Sequence, residues 1–319
     1  MVNRQFPTFT RLFTGFVLDN HSIPSEIQTF LDYLKFEKRY SAHTFRSYQD
    51  DLLQCLQYGK DQFNCDSIKA ADHTIIRSWL ADLKENDMTA KSINRKISTL
   101  KSFFKFHLKN GTIEQSPMGK IISPKVSKRL PVFIKEEDTS QLLNISATAT
   151  EDWKSLNTHL LLSLFYGTGM RLSELINLKE TQVDFSRKHI KVLGKGNKER
   201  IIPATVELLQ NVREYVQHKK KEFEKTDNTL LVTEKGKKMY AKYAYLLVNA
   251  ALNENVKTLD KKSPHVLRHT FATHLMNNGA NLNAVKELLG HSSLAATQVY
   301  THNTIEKLKN IYKKAHPKA

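Results

Sequence analysis

From Ser25 onward the apolar residues recur at helical spacing, and between Ser116 and Pro131 that spacing stops. A 3.6-residue apolar period commits each stretch to an amphipathic helix whose stripe must be buried against another element. Ile27, Phe30, Leu31 and Leu34 make the first stripe, and Phe45, Tyr48, Leu52 and Leu56 the second, with Ser41 placed as its N-cap. Ile76, Trp79, Leu80 and Leu83 continue the pattern, and Ile93, Ile97, Leu100, Phe104 and Leu108 predict a long fourth helix. In the break, Pro117, Pro124 and Pro131 punctuate a run holding Lys120, Lys125, Lys128 and Arg129 and no acidic residue. Such a run is an interdomain linker.

The expected organisation is an extension over 1–22, a helical domain over 23–115, a basic linker over 116–130 and a second domain over 131–319. A length of 319 residues is enough for two domains with cores of their own. The second domain is mostly helical by the same test, through Leu208 and Val212, around Tyr245 to Leu252, and from Val266 to the end. The exception is HIKVLGKGNKERIIP at 189–203, where β-branched runs flank Gly194-Lys195-Gly196-Asn197 and predict a hairpin. The fold class is therefore mainly α, with a small β-sheet in the second domain.

Charge narrows the partners. Lys plus Arg number 49 against 32 Asp plus Glu, a formal +17, which favours a polyanion. Nucleic acid leads over an anionic membrane, because hydrophobic residues are 40% of the chain and no apolar run reaches the roughly 18 residues of a membrane span. Lys91, Arg95, Lys101, Lys105 and Lys109 on the fourth helix read either as a solvated face or as a surface toward phosphates. A basic linker between two basic domains would let them grip a duplex from opposite faces as a clamp. Cys55 and Cys65 are too few for a disulfide framework or a thiolate metal site, which fits a reducing cytoplasm. The first twenty residues carry Arg4 and Arg11 but no continuous apolar core, and read as an extension rather than a signal peptide.

Breaking a phosphodiester without metal requires a nucleophile, cations for the nonbridging oxygens and a proton donor for the leaving oxygen. The second domain supplies all three. Arg171 opens RLSEL, where its fork suits two phosphate oxygens, and Glu174 one turn on would hold that guanidinium. His265 and Arg268 stand at i and i+3 in HVLRH, on one helical face. His291 follows in LLGHSS and Tyr300 in QVYTH. Taken singly, each is more often structural than catalytic; the joint pattern changes the odds.

YGTGMRLSEL, LGKGNKER, SPHVLRHTFATHLMNNGA and LLGHSSLAATQVYTH resemble, in order and spacing, the motifs of the tyrosine recombinase (phage-integrase) family, and within it the bacterial Xer recombinases. The resemblance runs from about Ser25 to the HPKA ending; only the extension lacks a counterpart. It implies a SAM-like core-binding first domain and a catalytic second domain. It also implies that Arg171, Lys195, His265, Arg268 and His291 activate the phosphate and that Tyr300 is the nucleophile, with neither cofactor nor metal. A 3′-phosphotyrosyl bond would store the energy of the broken phosphodiester, Lys195 would protonate the 5′ oxygen, and the two histidines would donate hydrogen bonds, His265 also exchanging a proton with Tyr300. The implied partners are double-stranded DNA, a homo- or hetero-tetramer with a paralogous recombinase, and the septal DNA translocase FtsK, in resolving chromosome dimers at a dif-like site. The tail from Thr304 to Ala319, with Ile305, Leu308, Ile311 and Tyr312 on one stripe, packs either on its own domain or, as the resemblance implies, on a neighbouring protomer.

Three rivals stand beside this reading. A metal site could use His265 and His269 at i and i+4 with His291, but Arg268 lies between the first two and no acidic residue does. A DNA-binding regulator with a dead site leaves the filled catalytic positions unexplained. A monomeric type IB topoisomerase shares the nucleophile chemistry but not the basic first domain and the tail.

Overall fold

The computed structural model describes residues 23–126, 132–148, 152–194, 199–257, 259, 262–290 and 310–317. The chain divides into two compact units, Met1–Arg129 and Leu130–Ala319.

In the first unit α1 (Ser25–Asp32) runs into a π-helical turn, Tyr33–Glu37, and is followed by α2 (Ala42–Phe63), α3 (His73–Glu85) and α4 (Ala90–Lys109). Ser41, Asp72 and Thr89 cap α2, α3 and α4, each side-chain oxygen accepting from amides of the first turn. The predicted stripes meet in a core centred on Phe30, Leu52, Trp79, Leu100 and Phe104. Two buried carboxylates stitch the helices. Glu26 accepts from the Ser67 hydroxyl (2.6 Å) and the Ile68 amide (2.7 Å). Asp51 of α2 accepts from Arg95 (2.6 Å), Lys96 (2.8 Å) and Thr99 (2.9 Å) of α4.

The basic face of α4 is present, and one expectation for its apolar stripe needs correction. Lys91, Arg95, Lys101, Lys105 and Lys109 are all exposed, as expected of the basic face, although Arg95 also pairs with Asp51. Leu108 is 43% exposed, and the inward place in the last turn belongs to His107. That imidazole is 3% exposed and contacts the Thr112 hydroxyl (2.8 Å) and the Glu26 carbonyl (3.2 Å), and its burial holds its pKa below the usual histidine value.

The second unit contains α5 (Glu136–Thr148), α6 (Trp153–Thr168), the single turn α7 (Leu172–Leu175), β1 (Val183–Asp184), β2 (His189–Leu193), β3 (Glu199–Pro203), α8 (Val206–Glu222), α9 (Ala241–Asn255), α10 (Pro264–Asn277) and α11 (Leu282–Leu289). Every residue of α6 from Leu160 to Thr168 is buried, as befits a helix apolar all round, and α5, α8, α9 and α10 pack about it. The predicted hairpin is β2 and β3, antiparallel with Ile190 opposite Ile202 and Val192 opposite Arg200; β1 adds a short third strand beside β2. Among the described residues no helix is long and apolar enough to cross a membrane.

Two clasps fix α10 and the tail. The Ile134 amide donates to Thr270 Oγ1 (3.0 Å), and His274 Nε2 meets the Ile134 carbonyl (2.8 Å). Because a carbonyl only accepts, Nε2 carries the proton, and Nδ1 accepts from the Tyr166 hydroxyl (3.1 Å). Burial lowers the His274 pKa, so this neutral form is the stable one. Residues 310–315 form a helix whose Tyr312 is buried, donating to the Gly167 carbonyl (2.6 Å) and stacking on His316 with centroids 4.8 Å apart. This part of the tail thus lies on its own domain; Ile305 and Leu308 fall outside the described residues.

Candidate active site

α6 stops abruptly at Gly169, whose φ is +60°; a Cβ there would stand 2.4 Å from the Phe271 ring and 2.9 Å from Leu289. Only glycine allows this left-handed stop and close approach. The chain then turns so that Arg171 becomes the N-cap of α7, and Glu174 at the third helical position reaches back to it. Glu174 Oε2 accepts from the Arg171 amide (2.8 Å) and Oε1 from Arg171 Nη1 (2.8 Å). The i, i+3 pairing read from RLSEL is therefore present, with the Arg171 side chain 35% exposed.

A third residue completes this cluster. Arg200, on the inward face of β3, donates Nη1 to Glu174 Oε1 (3.0 Å) and Nη2 to Oε2 (2.8 Å). Burial pushes the Glu174 carboxyl up, but the bonds and charge of Arg200, with the Arg171 amide and guanidinium, outweigh it and hold the group below the usual carboxylate range.

Arg268 lies one turn into α10 and is buried, donating Nη1 to the Gly169 carbonyl and Nη2 to the Leu289 carbonyl (2.7 Å). Burial, and next the charge of Arg171, lowers its pKa to about 10, which leaves it protonated at neutral pH. His265 precedes it on the same helix and is exposed. His269 is held below the ordinary histidine value by burial and by His265 and Arg268.

The three arginines share one helix end. Leu288, Leu289 and Gly290 offer successive carbonyls at the C-terminus of α11, accepting respectively from Arg200 Nε (2.8 Å), Arg268 Nη2 (2.7 Å) and Arg171 Nη2 (3.3 Å). A helix C-terminus leaves its last carbonyls unpaired and carries roughly half a negative charge, so it attracts cations. Three guanidinium charges against one carboxylate and that partial charge leave the cluster cationic. Arg171 and Arg268 each use only part of their N–H fork on described residues. An oxyanion seated against the remaining donors would be held by bidentate, charge-assisted bonds.

Of the sequence-predicted residues, the structure brings Arg171, Glu174 and Arg268 together and puts His265 on the helix that carries Arg268. Lys195, His291 and Tyr300 lie outside the described residues. Among the described residues no group of three His, Cys, Asp or Glu is placed to hold a metal ion. Sequence reasoning missed Arg200, although the signal was there. Period-two alternation in ERIIP sets Arg200 on the same face as the buried Ile202, and a cation on a core face requires a buried acid.

Comparison with known proteins agrees with this architecture. The Phage integrase family model matches residues 132–307, and the Phage integrase N-terminal SAM-like domain matches residues 27–111. The chain belongs to the phage integrase family, the tyrosine recombinases, enzymes that cut and rejoin DNA through a tyrosyl intermediate. Tyrosine recombinase XerC of Staphylococcus aureus is 38% identical over 296 residues, covering 92% of this chain and 96% of the relative. The XerC of Chlorobaculum parvum is 34% identical over 318 residues, covering 92% and 94%. In fold the chain is similar to the Tn1549 transposon integrase, with a TM-score of 0.67 at 19% identity over 88% of this chain and 97% of that one. It is likewise similar to the XerH recombinase bound to its difH substrate, with a TM-score of 0.64 at 22% identity over 90% and 84%.

Proposed function

We propose that this chain binds double-stranded DNA as part of a recombinase tetramer on two sites, and resolves chromosome dimers at a dif-like site. The observation that carries the reaction is the cationic cluster of Arg171 and Arg268, held by Glu174 and the end of α11. The donors that it does not spend on described residues suit the nonbridging oxygens of a phosphodiester in its pentavalent transition state. The relatives named XerC, similar over almost their whole length, support the chromosomal role over that of a mobile element.

In this reading the Tyr300 hydroxyl attacks the phosphorus, passing its proton to His265 as the P–O bond forms, while the bond to the 5′ oxygen breaks. A tyrosine pKa near 10 requires cationic neighbours for this, and Arg171 and Arg268 provide the field. Lys195 delivers a proton to the departing 5′ oxygen, and His265 and His291 donate to the transition state. Rejoining reverses these steps with a new 5′ hydroxyl, so the energy of the original bond is retained and no nucleotide cofactor is needed.

Tyr300→Phe tests the assignment. It should bind a duplex carrying the host's dif-like site as the natural protein does, yet form no SDS-stable adduct on a nicked suicide version of it. Adduct formation by that variant would overturn the role of Tyr300. Cleavage by the natural protein at mobile-element ends but not at the chromosomal site would overturn the dimer-resolving role.

A further inference from the structure

We propose that Arg200 is a positioning residue that sets the reach of Arg171 by clamping Glu174 against the end of α11. The inference rests on the reading of Arg171 as a phosphate ligand.

The geometry singles out Arg200 among the three arginines. It is 5% exposed, its two terminal nitrogens are both taken up by Glu174, and its Nε is taken up by Leu288, so its fork is directed inward. Arg171 by contrast is about one-third exposed, and Arg268 gives its bonds to backbone. Arg200 is therefore not a phosphate ligand. Both oxygens of Glu174 that hold Arg171 are the ones that Arg200 holds, so the carboxylate cannot rotate without breaking a bond to Arg200. A planar fork on a planar carboxylate fixes orientation as well as distance, which a lysine cannot do.

One guanidinium also joins three segments that bear proposed site residues. In sequence Lys195 lies between β2 and β3, Arg171 is the N-cap of α7, and His291 follows Gly290, the C-cap of α11. The fit is close: a Cβ on Gly290, whose φ is +63°, would lie 3.1 Å from Arg200 Cδ and 3.2 Å from its Nη1. A glycine there gives both the left-handed helix stop and room for the Arg200 side chain.

Removing Arg200 leaves Glu174 held by Arg171 alone, so the pair can shift together and misplace Arg171 by a fraction of its side-chain length, an error that costs a catalysed step about 100-fold. The loss should come from poor placement of positive charge at the scissile phosphate. A methylphosphonate there, with methyl in place of one nonbridging oxygen, carries no negative charge to be neutralised.

The test compares Arg200→Gln, Arg200→Lys, Glu174→Gln and Arg171→Gln on nicked duplexes carrying the host's dif-like site, with either phosphate or methylphosphonate at the cleavage position. Rates are taken at saturating protein and below every variant's melting temperature. Arg200→Gln should cleave the phosphate about 100-fold slowly with DNA affinity little changed, and lose far less on the methylphosphonate, as Arg171→Gln should too. Arg200→Lys, which keeps the charge but not the fork, should stay impaired, and the Arg200→Gln, Glu174→Gln double variant should be no slower than the slower single one. Full-rate cleavage by either Arg200 variant, or equal loss on both substrates, would overturn the positioning role. If Arg171→Gln itself cleaves normally, the phosphate-site reading fails instead.

Discussion

Gly169 shows how much of the site depends on one residue without a side chain. Its φ of +60° costs any other L-residue conformational energy, and its Cβ position falls 2.4 Å and 2.8 Å from two atoms of the buried Phe271 ring. Gly169→Ala should destabilise the second domain by about 2 kcal/mol or more, combining left-handed strain with overpacking. A melting temperature within a degree or so of the natural protein's would refute this account. Because the Gly169 carbonyl also accepts from Arg268, the cleavage rate should fall with stability. The pairing of Arg171 with Glu174 was legible in sequence, since both sit on one short helix and the spacing alone decides it. The bond from Arg200 to Glu174 spans 26 positions and two element types. Spacing is silent there, and only the inward alternation of β3 pointed to it.

Elements were legible where one periodicity governed them and less so where two demands competed. The Ser41 cap and the paired strands β2 and β3 appear where the sequence puts them, because each is a local matter of backbone amides and β-branched runs. The last turn of α4 went differently: three positions beyond Phe104 the inward place falls to His107, which satisfies its ring nitrogens at Thr112 and Glu26 and leaves Leu108 outward. The tail helix at 310–315 was seen as a stripe, but its binding face was not decided by the stripe. Tyr312 decides it for the described part, through the Gly167 carbonyl and the rings of Phe271 and His316. Tyr312→Phe keeps the rings and loses the hydroxyl, and should cost about 1 kcal/mol. Tyr312→Ala removes the ring as well and should cost about 3–5 kcal/mol. Thermal melts of the two variants separate these contributions, and equal losses would show that the hydroxyl alone anchors the helix.

On the scale of the whole molecule, acid should weaken both units through histidines kept neutral inside them. His107 in the first unit and His274 in the second have pKa values below the ordinary one, in each case chiefly because burial disfavours the charged ring. The unfolded chain takes up a proton on each near pH 6.5, whereas the folded chain resists it to lower pH. The unfolded state therefore binds more protons in that interval, and stability must rise with pH across it. The sign is set: stability is fully present above about pH 6.5 and is lost as pH falls through the depressed folded values. Glu174 adds a later step, because its carboxylate is held below the usual range and its support for Arg171 and Arg200 is lost only as pH falls through that lower value. Melting temperature followed from about pH 7 down to about pH 5 should fall for the natural protein before ordinary carboxylates titrate. His107→Gln and His274→Gln, which offer neutral polar groups at the same places, should lower stability at neutral pH yet flatten the slope, and the double variant should flatten it most. An unchanged slope in the double variant would assign the early acid loss to other groups, and a flat profile in the natural protein would show that neither buried ring is held neutral by its surroundings.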